Sequence, residues 1–296
     1  KPDKARPAVA RADRFINEPI ADFTRQEVRD GFVTAIAAVR GKFGATYPLV
    51  IGGREIVTED RLPSVNPARP QELIGTICQA SIKEIDEAIT AARKAALAWQ
   101  ALSFAERAQY LLKAAAVARR KTYELSAWQI LEVGKQWNQA QADVAEAIDF
   151  LEYYAREAIR IGTPRRMGNS PGEVNLLSYQ AKGIAAVIAP WNFPLAISCG
   201  MAAAAIVTGN PVLYKPAGPS SVVGFTLAEI FRKAGLPAGV FNYVPGRGSV
   251  MGDYLVEHPE IALIAFTGSM EVGMRLLRDN GTRPMPRPVI IEMGGK

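Results

Sequence analysis

Residues 184–296 repeat one order of positions: a short apolar run, a loop of Gly, Pro and polar residues, then a helix-like segment. The apolar runs are Ile-Ala-Ala-Val-Ile at 184–188, Val-Leu-Tyr at 212–214, Val-Phe-Asn-Tyr-Val at 240–244, Ala-Leu-Ile-Ala-Phe at 262–266 and Val-Ile-Ile at 289–291. Each is β-rich and none alternates with polar residues, which predicts strands buried on both faces of a parallel sheet. The intervening segments have the length of helical crossovers. Right-handed βαβ units would assemble them into an α/β, Rossmann-like doubly wound parallel sheet, with ligands beyond the carboxyl ends of the strands.

The residues before 184 read differently. The first fourteen are polar, and Val28, Phe32, Ile36 and Val39 then fall at helical spacing, so residues 1–48 are expected to form an arm with one helix. Over 49–80 short β-like pieces alternate with turns, one of them placed at Ser64-Val65-Asn66-Pro67. Ser81 with Glu84, and Ser103 with Glu106, have capping-box spacing and open two helices; Ile82, Ile85, Ile89 and Ala92 line one face of the first. A third helical stretch over 123–160 breaks at Gly134, and its later part runs from acidic at Asp143 to basic at Arg156, which suits the helix dipole. Residues 161–180 are rich in Gly, Pro and Asn around a β-like Asn175-Leu176-Leu177-Ser178-Tyr179, predicting a loop with an edge strand.

Composition narrows the classes. The net charge of +6 comes from 35 Lys and Arg scattered among 29 Asp and Glu, a mixed solvated surface with no aromatic-interleaved basic motif for nucleic acid. Two cysteines, Cys78 and Cys199, are too few for a disulfide framework and point to a reducing compartment. With no secretory or membrane-spanning stretch, the expectation is a cytoplasmic protein; the most apolar run, 196–207, is too short to span a bilayer. A start at Lys1 and a stop after Gly295-Lys296 read as cuts in a longer chain.

The strand exits carry the candidate chemistry. They read Ala189-Pro190-Trp191-Asn192-Phe193-Pro194, Lys215-Pro216-Ala217-Gly218, Pro245-Gly246-Arg247-Gly248-Ser249, Thr267-Gly268-Ser269 and Glu292-Met293-Gly294-Gly295-Lys296. The Asn192 amide can donate to an oxygen that becomes negative during reaction, or merely satisfy a turn. Lys215 can reach a ribose or phosphate, or be a solvated strand end. Gly248 and Gly252 allow close backbone approach to a cofactor, or a tight turn. Ser269 at the start of a helix over 270–278 offers an anion site for pyrophosphate, or a plain cap. Glu292, if buried, would have a raised pKa and could activate water; a surface glutamate is the alternative. Glu132 interrupts an apolar helix, where it could line a substrate site and meet an ammonium group or be a satisfied helix carboxylate. His258, in Glu257-His258-Pro259-Glu260, reads as a solvated surface residue.

Taken jointly, in order and spacing, Pro190-Trp191-Asn192-Phe193-Pro194, Lys215-Pro216-Ala217, Gly268-Ser269 with Gly273, and Glu292-x-Gly294-Gly295-Lys296 resemble the NAD(P)-dependent aldehyde dehydrogenase superfamily. Phe15-Ile16-Asn17-Glu18-Pro19 and Tyr47-Pro48-Leu49-Val50-Ile51-Gly52-Gly53 resemble the leading segment of 1-pyrroline-5-carboxylate dehydrogenases, whether free-standing or the C-terminal half of proline utilization A proteins. That resemblance implies oxidation of an aldehyde, L-glutamate γ-semialdehyde, with NAD (or NADP) as hydride acceptor. It implies that Asn192 forms the oxyanion hole, Glu292 is the general base and Phe193 is one wall of the substrate site, to which Glu132 is added as a candidate on the reading above. Cofactor contacts would come from Ile188, Ala189, Pro190, Trp191, Lys215, Ala217, Gly218, Gly248, Gly252, Phe266, Thr267, Gly268, Ser269, Val272, Met293 and Gly294. By the same likeness, 49–160 and 181–296 form the dinucleotide-binding domain and 161–180 a β-hairpin that pairs with a neighbouring subunit of a homo-oligomer. A proline dehydrogenase half carrying FAD would precede the chain in the bifunctional case.

Two departures matter. The family commonly places a Glu three residues after the lysine to hold the ribose, where this chain has Gly218, which opens the choice between NAD and NADP. The family's nucleophilic cysteine lies a few dozen residues past the Glu-x-Gly-Gly-Lys element, and Cys199, inside an apolar helix, is expected to be a buried thiol. The rival expectation is therefore a non-catalytic, cofactor-binding assembly module.

Overall fold

The computed structural model describes residues 14–294. Residues 1–13, and Gly295 and Lys296 of the last motif, lie outside the described residues. In chain order the elements are α1 (Gln26–Arg40), β1 (Ala45–Tyr47), β2 (Leu49–Ile51), β3 (Arg54–Ile56), β4 (Arg61–Asn66), β5 (Arg69–Cys78), α2 (Ile82–Ala101), α3 (Phe104–Arg120), α4 (Thr122–Val133) and α5 (Trp137–Gly162). A two-residue ribbon follows, β6 (Arg165–Arg166) with β7 (Leu176–Leu177). Then come β8 (Ile184–Ile188), α6 (Ala196–Val207), β9 (Val212–Lys215), α7 (Ser221–Lys233), β10 (Phe241–Tyr243), α8 (Asp253–Glu257), β11 (Ile261–Gly268), α9 (Met270–Gly281) and β12 (Val289–Met293).

All five apolar runs are strands of one sheet ordered β12-β11-β8-β9-β10-β2-β3, parallel from β12 to β10 and antiparallel from there on. The chain winds outward from β8 to β10, then crosses to the other side of β8 for β11 and β12. The switch point thus lies between β8 and β11, where crossovers on opposite faces leave a crevice. Register puts the strand exits level: Ile188 stands opposite Lys215 on one side and Phe266 on the other, and Thr267 stands opposite Glu292.

Both faces of the sheet are covered. Ala185 and Val187 pack with Leu111, Ile148, Ala203 and Leu227 of the α3, α5, α6 and α7 layer. Ala186 and Ile264 pack with Ile85, Ile89, Leu255 and Leu276 of the α2, α8 and α9 layer. A strand with helices above and below has no solvent face, which is why these runs do not alternate. The predicted capping boxes are both present, with Glu84 and Glu106 each accepting from the N–H and hydroxyl of the preceding cap serine. Gly134 ends α4 at φ 70°, a left-handed turn that glycine enters without a Cβ clash. Among the described residues, no helix is long and apolar enough to cross a membrane.

Three expectations need correction. Ser64 and Asn66 lie within β4, and the turn falls at Pro67 and Ala68, where Asn66 Oδ1 accepts from the Ala68 N–H at 3.0 Å. Asp143 does not serve a helix dipole: α5 begins at Trp137, so Asp143 sits almost two turns in, buried against Lys135. His258 is half-buried rather than solvated, its Nδ1 accepting from the Glu260 N–H at 3.2 Å. The helix of the arm, as predicted, buries Phe32 and Val39.

Candidate active site

At the β8/β11 switch point a cleft of about 710 Å3 is lined by Ile188, Ala189, Pro190, Trp191, Asn192 and Phe193 from the exit of β8, and by Lys215 and Ala217 from that of β9. Phe266, Thr267, Gly268, Ser269 and Val272 come from β11 and the start of α9, and Glu292, Met293 and Gly294 from β12. Ile197, which no motif marked, completes the wall. A larger groove of about 960 Å3 runs along α2 and holds none of the predicted catalytic, cofactor or substrate residues.

Asn192 is solvent-exposed, and its side-chain amide has no hydrogen-bond partner among the described residues, so it is not spent on the turn. Its backbone carbonyl accepts from Lys135 Nζ at 2.8 Å. The same ammonium pairs with Asp143 Oδ2 at 2.9 Å and lies 3.9 Å from the centre of the Phe193 ring. Asp143 Oδ1 accepts from the Ala196 N–H at 2.7 Å, fixing the start of α6. Burial pushes the Asp143 carboxyl up from its ordinary range while the Lys135 charge pulls it down. Residues 192–196 are therefore held at both ends by one ion pair.

Lys215 is lowered from its ordinary 10.5 by desolvation alone, and the only hydrogen bond of its ammonium among the described residues is a long one, 3.5 Å to the Pro216 carbonyl. A desolvated ammonium without a carboxylate partner is an unsatisfied cation beside the cleft, suited to hydroxyl or phosphate oxygens. Ser269 caps α9, its hydroxyl accepting from the Val272 N–H at 3.4 Å. Gly273 lets this helix approach β12: a Cβ there would stand 2.3 Å from Met293 Sδ.

Five predicted residues behave otherwise. Glu292 lines the cleft but is exposed, not buried, because β12 is the edge strand and nothing among the described residues covers the face it shares with Ile290, itself 64 % exposed. Glu132 is absent from the cleft wall and meets no ammonium: its carboxylate accepts from Ser64 Oγ (2.9 Å) and from the N–H groups of Val222 (2.8 Å) and Val223 (2.7 Å), capping α7. Complete burial pushes its pKa up to about 7 against those three donors. Gly248 and Gly252 bound a π-helical turn after β10, two strands from β8, outside the cleft, and a Cβ at either would meet nothing within 4 Å. Gly218, in the 3-10 turn Gly218–Ser220, is also absent from the wall and faces Leu62.

Sequence reasoning missed Lys135 and Asp143, whose pairing crosses the α4–α5 break, and Glu146. The Glu146 carboxyl is raised, first by burial and then by the charges of Asp143 and Glu292, so it lies in the field of the same site. The spacing of Asp143, Glu146 and Asp149 along one helix face was the available signal. Both cysteines are buried; Cys199 Sγ points to the Ala147 carbonyl at 3.7 Å, and burial pushes its thiol well above the ordinary 9.0.

The sequence profile of the aldehyde dehydrogenase family matches residues 56–296. The 1-pyrroline-5-carboxylate dehydrogenase of Geobacillus thermodenitrificans is 45% identical over 287 residues, covering 95% of this chain and 56% of that protein. The 1-pyrroline-5-carboxylate dehydrogenase 1 of Halalkalibacterium halodurans is 47% identical over 286 residues, with the same coverage. Among solved structures, a Thermus 1-pyrroline-5-carboxylate dehydrogenase with bound NAD superposes at a TM-score of 0.93 with 45% identity, over 96% of this chain and 56% of that one. Proline utilization A from Bdellovibrio bacteriovorus superposes at 0.93 with 39% identity, over 95% and 30%. The chain spans about half the length of the curated relatives it matches.

Proposed function

The chain belongs to the aldehyde dehydrogenase family, and from that premise we propose that it forms the cofactor-binding part of an L-glutamate γ-semialdehyde dehydrogenase using NAD. One observation carries this reading: a single cleft collects an unpartnered amide, an uncompensated ammonium, a helix start and a carboxylate from the exits of four adjacent strands.

The donor set fits a dinucleotide. The start of α9, with Ser269, would take the pyrophosphate through first-turn amides and the positive end of the helix. Lys215 would take ribose or phosphate oxygens, and Pro190, Trp191 and Val272 would supply apolar walls. The cofactor, when bound, supplies the acceptor for the aldehyde hydride. The chain's own part is to donate the Asn192 amide to the substrate oxygen as charge develops there, to wall the aliphatic chain with Phe193, and to draw a proton from water with Glu292. Both cysteines are buried and neither lines the cleft, so the proposal gives neither of them the part of nucleophile. The exposed ribbon, with Val174, Leu176 and Tyr179 turned to solvent, is proposed as the subunit-pairing segment of a homo-oligomer. With no acidic residue at position 218, discrimination between NAD+ and NADP+ should stay below about a thousandfold in kcat/KM, some 4 kcal/mol.

Two measurements test the reading. NAD+ titrated into this chain should quench or enhance the fluorescence of Trp191, which is 54 % exposed at the cleft. NADH formation by the full-length polypeptide should favour L-glutamate γ-semialdehyde over simple aliphatic aldehydes. No binding at millimolar NAD+ would remove the cofactor, and equal rates across aldehydes would remove the substrate assignment.

A further inference from the structure

We infer that Lys135 and Asp143 are the positioning pair for the Asn192 amide, an ion pair placed beneath the cleft to aim the oxyanion donor rather than to stabilise the fold. The inference rests on the proposed role of Asn192. Lys135 Nζ spends its donors on the Asn192 carbonyl at 2.8 Å and Asp143 Oδ2 at 2.9 Å, while its charge sits 3.9 Å from the centre of the Phe193 ring. Asp143 Oδ1 takes the Ala196 N–H at 2.7 Å. One pair therefore fixes the carbonyl of Asn192, the ring of Phe193 and the first turn of α6, while the Asn192 side chain itself has no hydrogen-bond partner among the described residues.

The pair is expensive where it stands. Its side chains are 8 % and 0 % exposed, and desolvating two charges offsets most of their attraction, so well-packed apolar residues would hold this site together as well. Apolar side chains, however, cannot hydrogen-bond a backbone carbonyl. Because the amide is otherwise free to swing about its own side-chain bonds, the direction of its Cα–Cβ bond decides where it can donate, and the anchored carbonyl sets that direction. The loop carrying Asn192 leaves a strand and enters a helix, and a distant ammonium anchors its carbonyl.

The test is a double-variant cycle in the full-length polypeptide, following aldehyde-dependent NADH formation. Lys135→Met, and the neutral pair Lys135→Met with Asp143→Asn that leaves no buried charge unpaired, should each lower kcat about ten- to a hundredfold, the scale of an ångström's misplacement. The KM for NAD+ should stay within about twofold. In an Asn192→Ala background the same changes should cost almost nothing more, since their route of action is already gone; a merely structural pair would give additive losses. Unchanged kcat in folded Lys135→Met, or additivity with Asn192→Ala, overturns the inference. So does a neutral pair that no longer folds, which would make the two residues a stability element. If Asn192→Ala alone leaves kcat intact, it is the oxyanion role that fails.

Discussion

The two halves of the cleft are built to different standards. On the β8–β9 side buried polar groups lie behind the strand exits, although Lys215 itself has no carboxylate partner among the described residues. Lys135 and Asp143 brace Asn192, and Glu132 caps α7 just beyond the Lys215 exit. On the β11–β12 side the corresponding residues stand on a helix start with a long cap bond and on an edge strand, with Glu292 open to solvent. A site residue is held as firmly as the layers around its strand allow. Strands covered on both faces can hide polar braces in the interior, whereas an edge strand has no interior to hide them in. The braced half is where this chain alone should set geometry, and the open half is where substitutions should be tolerated.

Asn192→Ala should give the largest effect. In the full-length polypeptide, kcat is expected to fall about 10²–10³-fold with cofactor affinity nearly unchanged, the usual scale for losing one oxyanion donor. An intact kcat would leave the bracing without a purpose. Next comes Glu132. Its carboxyl is raised from the ordinary 4.5 to about 7 in the folded chain, so folding takes up a proton between those values. Stability from this group is fully present below about 4.5 and is lost as pH rises through about 7, on the order of 3 kcal/mol in all. Glu132→Gln should flatten that slope in urea denaturation measured at pH 5 and pH 8; the same slope in both proteins would mean another group titrates.

Lys215→Met should raise the Kd for NAD+ about ten- to a hundredfold, the scale of one hydrogen bond to a charged group, ~1.5–3 kcal/mol. Calorimetry on this chain would measure it, and an unchanged Kd would reduce Lys215 to a strand end. Ser269→Ala should matter least. Its cap bond is long and its surroundings exposed, so about 0.5–1 kcal/mol of local stability and a few-fold change in Kd are expected. A loss as large as that of Lys215→Met would place the main anion anchor on the open side and reverse the comparison.

Much of this arrangement could be read from the chain itself. Non-alternating apolar runs separated by crossover-length segments lead to a parallel sheet covered on both faces, because a strand with two apolar faces has no other stable environment. Cap residues at Ser81, Ser103, Gly134 and Ser269 were legible because capping is local: the hydrogen bonds close within a few residues. The cleft residues at the β8, β9 and β11 exits followed once strand ends were known, since parallel strands in register must present their exits together. Tertiary structure alone decided what lies behind them. Glu132 reaches across 90 residues to Val222, Lys135 across 57 to Asn192, and Asp143 across 53 to Ala196. Local patterning carries no record of such distances. Whether a carboxylate caps a distant helix, pairs with an ammonium or faces water depends on which side chains the sheet order brings within 3 Å, and so burial and charge state were settled only by the packed fold.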